Sequence, residues 1–217
     1  MTVKDMPLVI KILRSEVKRL KTPYVTEVSE AKDPFRVLVS CIISLRTKDE
    51  TTRAASERLF ALADTPDAVS RLDEKTIERA IFPAGFYRTK ARTIKEISRE
   101  LTSKYHSRVP DEIDELLKLK GVGRKTANLV VTMGFGKPGI CVDTHVHRIT
   151  NRWGFVSTKN PEETESVLRE NLPKRYWIEI NDLLVTYGQN VCAPVSPFCS
   201  RCRLNGLCPR KGVGKSR

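Results

Sequence analysis

The sequence lacks the features that mark several protein classes. It has no N-terminal apolar region followed by a cleavage site, so we do not expect secretion. Its longest apolar run, VLVSCIISL at residues 37–45, has about half the length of a membrane span. Sustained alternation of apolar and polar residues, the pattern of a half-buried strand, is also missing. We therefore expect an intracellular protein without membrane segments, cytoplasmic and nucleoid-associated if it is prokaryotic.

Acidic residues are in short supply. The 217 residues include 26 Asp and Glu against 39 Lys and Arg, which gives a formal net charge of +13. A well-solvated surface alone can carry a surplus, but one of this size more often indicates a polyanionic partner, most commonly nucleic acid. Hydrophobic residues make up 40% of the chain, enough for one large core or two smaller ones.

What the sequence does have is helical periodicity. Three pairs, Asp33-Pro34, Thr65-Pro66 and Asn160-Pro161, place a capping residue before a proline at the first helical position, and Asp5-Met6-Pro7 opens a further amphipathic segment. Other helical windows cover residues 73–81, 88–105, 111–119, 125–133, 143–153 and 174–187. The pattern predicts an all-α protein of roughly ten helices. After Cys208 the chain is basic and glycine-rich, and we expect it to fray.

A short glycine-rich turn separates two of these helices in LKGVGRKTANLVV, residues 119–131. Helices joined this tightly form an αα-hairpin, and Gly121 and Gly123 permit backbone angles that a side chain forbids. A glycine also lets an anion approach the unpaired N–H groups at the start of the second helix. Spacing alone leaves two alternatives open, namely a phosphate site and an ordinary helix connection.

Four of the six cysteines lie close together near the end of the sequence. They are Cys192, Cys199, Cys202 and Cys208, separated by six, two and five residues. In an intracellular protein this density favours a metal centre over disulfides, and four thiolates suit either zinc or an iron–sulfur cluster. Cys41 and Cys141 have apolar neighbours and are interpreted as core residues.

Two motifs resemble one protein family. GVGRKTA resembles the helix-hairpin-helix loop of DNA repair glycosylases, and CVDTHVHRITNRW, from Cys141, resembles the segment that follows this loop in the endonuclease III family. Lys125 and Asp143 are 18 residues apart, which is the family's spacing between its catalytic lysine and aspartate. The cysteine spacing is that of the family's [4Fe–4S] site. The resemblance extends from about Asp33 to Cys208.

The resemblance implies a fold and its division into domains. It implies an all-α protein of two helical domains with a DNA cleft between them. A six-helix, barrel-like domain that contains the helix-hairpin-helix would cover residues 27–137. A discontinuous domain, residues 1–26 and 138–217, would carry the [4Fe–4S] cluster. The implied cluster ligands are Cys192, Cys199, Cys202 and Cys208.

The resemblance also implies an activity, that of a monomeric, bifunctional DNA glycosylase and AP lyase. Its partner would be double-stranded DNA that contains damaged bases or abasic sites, and its substrates oxidised pyrimidines. Lys125 would displace the base and form a Schiff base, after which β-elimination would cleave the strand 3′ to the site. Asp143 would stabilise the cationic sugar, and Gly121, Gly123 and Arg124 would lie at the DNA.

Physical arguments agree with these roles. The helix N-terminus and the charge of Arg124 both disfavour a protonated Lys125, and a neutral amine is a nucleophile. Asp143 is also a good N-cap for the helix that follows it, and a carboxylate held in this way can still face a cleft. His145 and His147 are two residues apart, so they should point to different faces of that helix and not share a metal.

Opening the duplex requires side chains that enter the base stack. By resemblance, Arg46 stands where many relatives carry a glutamine that enters the vacated space, and which base it would read is open. Phe86 stands where an apolar wedge meets the orphaned base, although an ordinary core aromatic would fit the sequence as well.

Two further positions depart from the family pattern. Lys120 replaces a proline that often precedes the hairpin glycines. The loop between the first two cluster ligands, residues 193–198, has no cation, whereas relatives often carry basic residues there that meet phosphate. Arg201, Arg203 and Arg210 are close enough in sequence to compensate.

Two other functions remain as alternatives. A monofunctional glycosylase of the same superfamily would act on mismatched thymine, uracil or adenine, but such relatives usually lack the lysine at position 125. A non-catalytic DNA-binding module with a zinc site would keep the charge, the glycines and the cysteines. It would have no use for Lys125 and Asp143 at their spacing.

Overall fold

The computed structural model describes residues 1–20, 23–29 and 32–217. Over these ranges the protein is helical and contains no strand, so the all-α prediction is confirmed. The α-helices are α1 (Met6–Val17), α2 (Tyr24–Ser29), α3 (Pro34–Ser44), α4 (Asp49–Leu62), α5 (Pro66–Arg71), α6 (Glu74–Ile81), α7 (Tyr87–Lys104), α8 (Ile113–Leu116), α9 (Arg124–Leu129), α10 (Thr144–Arg152), α11 (Pro161–Asn171) and α12 (Trp177–Asn190). Short 3-10 helices cover Val3–Asp5, Lys174–Tyr176 and Cys199–Arg201, and α9 continues as a π-helix over Val130–Gly134. In the part of the chain that the structure describes, no helix combines the length and apolar character that a bilayer crossing requires.

The chain divides into two compact units. The central unit is Tyr24–Lys137, and the terminal unit joins Met1–Pro23 to Pro138–Arg217. In the central unit the apolar α3 packs against α4 and α9, while α5 and α6 pack against α7. In the terminal unit α12 packs against α1 and α10. The core there includes Leu13, Ile149, Trp153, Leu184 and Tyr187.

Three of the four predicted helix starts carry the expected cap. Asp33 accepts hydrogen bonds from the Phe35 and Arg36 amides, and Thr65 and Asn160 each accept one amide hydrogen bond in the first turn of their helix. Asp5 is different, because it belongs to the preceding 3-10 turn and its carboxylate accepts from the amide and hydroxyl of Thr2. The prediction that Asp5-Met6-Pro7 starts a helix is confirmed, but the aspartate caps the earlier turn.

The sequence windows missed α2 and α4 and overestimated α8. The buried face of α4 consists of Thr52, Ala55, Ser56 and Leu59, at helical spacing but mostly small or polar. A search for large apolar residues therefore does not find this helix. The window at 111–119 contains an α-helix of four residues only, because tighter turns follow it, in which the amides of Lys118 and Leu119 bond to carbonyls three residues back.

The C-terminal tail, residues 209–217, is held by hydrogen bonds, so the expectation that it frays was wrong. The Lys211 amide donates to the carbonyl of Arg152 (3.0 Å). The Arg217 amide donates to the carbonyl of Pro197 (2.8 Å), and the Arg217 carbonyl accepts from the Ser200 amide (2.9 Å). The charge of the tail indicated solvation, whereas main-chain groups at the end of α10 and in the cysteine loop provide its partners.

Candidate functional site

The predicted αα-hairpin is formed by α8 and α9. Gly121, in the turn between them, has φ +88°, a left-handed conformation that favours glycine. A Cβ atom at this position would also lie 2.7 Å from Thr93 Cγ2 in α7. Gly121 is therefore required by its backbone angle and by its close contact with α7.

The second hairpin glycine has a different environment. Gly123 precedes α9 with φ −92° and ψ 171°, angles that any residue can adopt. A Cβ atom at Gly123 would have no heavy atom within 4 Å, so packing does not require a glycine here. The space beside the start of α9 is open, and it is this openness that suits a close approach by an anion.

Arg124 and Lys125 occupy the first turn of α9, and both are exposed. Behind them in the core lies Cys41 of α3. Burial raises the pKa of Cys41 to about 12, although the charge of Lys125 acts in the opposite direction. Cys41 is therefore a protonated core thiol, and Cys141 is buried in the terminal unit, as predicted for both.

Asp143 lies in the terminal unit, at the N-cap of α10. One carboxylate oxygen accepts hydrogen bonds from the amides of His145 (2.8 Å) and Val146 (2.9 Å), so the predicted cap is present. The residue is 8% exposed, and its rotamer is fixed by these two bonds. Such a carboxylate is preorganised to stabilise positive charge without reorientation.

The two histidines of α10 have different partners. His145 Nδ1 lies 3.1 Å from Arg148 Nη2, whereas His147 Nδ1 lies 2.7 Å from the Thr164 hydroxyl. The expectation that they do not share a metal agrees with this arrangement.

Two arginines of α10, which sequence reasoning missed, hold the start of the cysteine loop. Arg148 donates to the carbonyl of Cys192 (2.9 Å). Arg152 is buried and donates to the sulfur of Cys192 (3.3 Å) and to the carbonyls of Ala193 and Pro194 (2.7 Å each). Their separation of four residues on one helix was a signal that both serve the same face.

The four clustered cysteines line one cavity together with Trp153 and Tyr187, and none forms a disulfide. The Tyr187 hydroxyl donates to Cys202 Sγ (3.3 Å), as Arg152 does to Cys192. Burial raises the pKa of Cys202 and Cys208, while hydrogen bonds from Tyr187 and from backbone amides oppose it. Over residues 1–20, 23–29 and 32–217, no three His, Cys, Asp or Glu side chains converge on a single metal-ion position. Hydrogen-bond donors are thus directed at two of the four sulfurs, and a thiolate is the form of cysteine that binds metal.

The tail brings positive charge to the loop that has no cation. Phe198 of this loop has the Arg217 guanidinium carbon 3.9 Å and the Arg201 carbon 4.3 Å from its ring centroid. Residues 190–217 contain six cations and no Asp or Glu. Lys211 and Lys215 are exposed on the same tail.

Arg46 and Phe86, predicted separately, lie side by side in the central unit. The Arg46 guanidinium carbon is 5.6 Å from the Phe86 ring centroid. Phe86 is 63% exposed, so the interpretation as an ordinary core aromatic does not hold. Both residues have positive φ, 53° and 56°, an uncommon conformation for side chains of this size.

Comparison with known proteins gives consistent results. The family model described as "HhH-GPD superfamily base excision DNA repair protein" matches residues 39–174. Endonuclease III of Thermotoga maritima is 49% identical over 188 residues, which cover 85% of this chain and 88% of that protein. Endonuclease III-like protein 1 of Bos taurus is 44% identical over 178 residues, and these cover 81% of this chain but 58% of the relative.

Solved structures agree. A non-covalent endonuclease III–DNA complex matches with a TM-score of 0.84 at 32% identity, covering 97% of this chain and 96% of that one. A trapped endonuclease III–DNA covalent intermediate matches with a TM-score of 0.83, also at 32% identity, and covers 97% of both chains. On the extent of these matches, the chain belongs to the endonuclease III family, within the HhH-GPD superfamily of base excision DNA repair proteins.

Proposed function

We propose that this protein is a bifunctional DNA glycosylase and AP lyase that removes oxidised pyrimidines from double-stranded DNA. The observation that carries the proposal is the position of Lys125. It is exposed in the first turn of α9, directly after the hairpin turn, and the space beside Gly123 in that turn is open. The family membership and the solved complexes of relatives with DNA support it.

In the proposed reaction the amine of Lys125 attacks C1′ of the damaged nucleotide, and the glycosidic bond breaks as the base departs with its electron pair. The C1′–O4′ bond then breaks as O4′ takes up a proton lost by Nζ, and the ring-opened sugar carries an iminium bond to Nζ. This iminium acidifies the C2′ protons. Removal of one expels the 3′ phosphate, so the strand breaks 3′ to the site. The amine is recovered when water hydrolyses the iminium.

Asp143 is proposed to stabilise the positive charge that develops on the sugar as the base leaves, and to assist proton transfer. Its two amide hydrogen bonds hold the carboxyl group in place. Lys125 belongs to the central unit and Asp143 to the terminal unit. The proposal therefore assigns one catalytic group to each unit.

DNA phosphate is proposed to bind at the hairpin and at the tail. Gly123 leaves open space at the start of α9, where backbone N–H groups meet an anion, and Arg124 adds a charge. At the other unit, the cations of residues 209–217 supply the phosphate contacts that the loop at 193–198 lacks.

The endonuclease III family binds a [4Fe–4S] cluster. We propose that Cys192, Cys199, Cys202 and Cys208 hold one here, because they line a single cavity and the sulfurs of Cys192 and Cys202 accept hydrogen bonds. When bound, the cluster supplies four iron–thiolate cross-links to a segment with little apolar content of its own. Arg152 and Tyr187 position two of the sulfurs.

The test is borohydride trapping on a duplex with a single abasic site. Wild type should give a covalent adduct that is lost in Lys125→Ala and kept in Lys118→Ala, a control on the same hairpin whose amine pairs with Glu115. Base release from a duplex with a single oxidised pyrimidine, without an adduct on the abasic duplex, would favour the monofunctional alternative. A colourless protein that binds DNA but releases no base would favour the zinc-containing module.

A further inference from the structure

Lys90, in the first turn of α7, is a charged side chain in a buried position, 6% exposed. Its ammonium donates to the carbonyls of Ile43 (2.7 Å) and Leu45 (2.5 Å) and to the hydroxyl of Thr47 (2.8 Å). An ammonium has three donors and no acceptor, so these three oxygens satisfy it completely.

All three acceptors are uncharged. Burial of an ammonium among neutral groups is costly, and burial lowers the pKa of Lys90 to about 8. An apolar side chain such as methionine would fill the same volume without this cost. An apolar residue, however, cannot donate hydrogen bonds to the carbonyls at the end of α3 and in the turn that follows it. These carbonyls have no partner within a helix.

The bonded turn carries Arg46, and a second segment is joined to it through Thr47. The Thr47 hydroxyl accepts from Lys90 and also from the Gly85 amide (3.0 Å). At Gly85 the two segments approach so closely that a Cβ atom would lie 2.5 Å from the carbonyl oxygen of Arg46. Phe86 follows immediately. Lys90, Thr47 and Gly85 therefore hold Arg46 and Phe86 beside each other.

Arg46 and Phe86 both have left-handed backbone angles, which persist only where the surroundings impose them. We propose that Lys90 is a positioning residue for duplex opening, which holds Arg46 and Phe86 as one preformed element that enters the base stack. The inference rests on the proposed function, since it takes these two side chains to be the ones that meet the DNA. Lys90 itself touches neither the DNA nor the reacting sugar.

The experiment compares two abasic duplexes under single-turnover conditions with enzyme in excess. In one the abasic site lies in fully paired DNA, and in the other it lies within a short mismatched bubble that is already open. Lys90→Met should trap the paired substrate about tenfold to a hundredfold more slowly than wild type, and the bubble at the wild-type rate. Lys90→Arg should recover part of the loss. Lys104→Met, at an exposed lysine of the same helix, should match wild type on both.

An equal loss on both substrates would overturn the inference, because general damage to the fold affects them alike. No loss on either would overturn it as well. If Lys90→Met does not fold, Thr47→Val removes the shared hydroxyl in a partly exposed position and takes its place in the same comparison.

A binding readout separates this inference from the lyase proposal. With 2-aminopurine opposite the abasic site, wild-type binding should raise fluorescence as the orphaned base unstacks, and Lys90→Met should give a smaller rise at saturation. If wild type forms no adduct but shows this difference, the lyase proposal fails and the positioning role stands. If the rise is equal in both proteins, the positioning role fails.

Discussion

One guanidinium nitrogen of Arg152 donates to both the sulfur of Cys192 and the carbonyl of Ala193, while the other donates to the carbonyl of Pro194. A single buried side chain of α10 thus fixes Cys192, the first of the proposed cluster ligands, and the loop after it. The helix that begins at Asp143 ends at the cysteine cavity.

Replacement of Arg152 by leucine should lower the cluster content of the purified protein. The variant leaves two partly buried carbonyls and one sulfur without their donor, at a cost of about 1–3 kcal/mol in the free energy of unfolding. Visible absorbance per mole of protein and the Tm measure the two effects. Arg203→Leu, at an exposed arginine that pairs with Glu16, should change neither. A fully loaded, fully stable Arg152→Leu protein would contradict the assigned role.

The two hairpin glycines should respond differently to alanine. Gly121→Ala forces a side chain into a left-handed backbone conformation and against Thr93. The free energy of unfolding should therefore fall by about 1–3 kcal/mol, and the Tm should fall with it. Gly123→Ala should leave the Tm close to that of wild type but weaken DNA binding, because the methyl group occupies the open space beside the amides of α9. Equal loss of stability in both variants would show that openness at Gly123 is not its function.

Substitutions at Asp143 can separate the cap from the chemistry. Asparagine caps helices as well as aspartate, so Asp143→Asn should keep the Tm while the base-release rate falls about a hundredfold. Asp143→Ala should lose the same activity and also about 1 kcal/mol of stability. Single-turnover rates and thermal unfolding give the two readouts. Wild-type activity in Asp143→Asn would remove the electrostatic role.

Salt dependence can test the tail. Each phosphate contact adds about 0.9 to the slope of log affinity against log salt concentration. The Lys211→Gln, Lys215→Gln double variant should therefore have a slope smaller by about one to two than wild type. The Lys4→Gln, Lys11→Gln double variant lowers net charge equally on the same unit and serves as control. Equal slope changes in both would show that only net charge matters.

The ratio of wild-type trapping rates on the paired and bubble substrates should vary with pH. Below about pH 8 Lys90 is protonated and makes all three bonds, and as pH rises through that value one donor is lost, so the paired-to-bubble rate ratio should fall. The free energy of unfolding should instead increase as the pH rises. The pKa of Lys90 in the folded chain lies below its value in the unfolded chain. At pH values between these two pKa values the unfolded chain binds more protons, so the free energy of unfolding rises with pH. In Lys90→Arg, whose guanidinium stays protonated, the ratio should be flat.

Features that depend on near neighbours in sequence could be predicted well. The caps at Asp33, Thr65, Asn160 and Asp143 are bonds to amides two or three residues ahead, and the residue types alone indicate them. The hairpin glycines and the cysteine spacing are local in the same sense.

What could not be predicted depends on partners far along the chain. The oxygens that bond to Lys90 belong to residues 43 to 47 positions away, and Arg152 bonds to groups 40 to 42 positions away. In the sequence, Lys90 and Arg152 cannot be distinguished from the other Lys and Arg residues. The prediction for the tail was wrong for the same reason, since its partners are main-chain groups, which no sequence pattern displays.

With the proposed cluster bound, the cavity shared by the four cysteines would give the protein an internal optical reporter. Trp153, one of two tryptophans, lines it, whereas Trp177 does not. A cluster that absorbs across the near-ultraviolet and visible range accepts excitation energy from an indole at short range, so a loaded protein should emit weakly from Trp153. Release or oxidative breakdown of the cluster would restore that emission, and Trp177→Phe would isolate the signal. Intrinsic fluorescence could then follow cluster assembly in real time without any added dye.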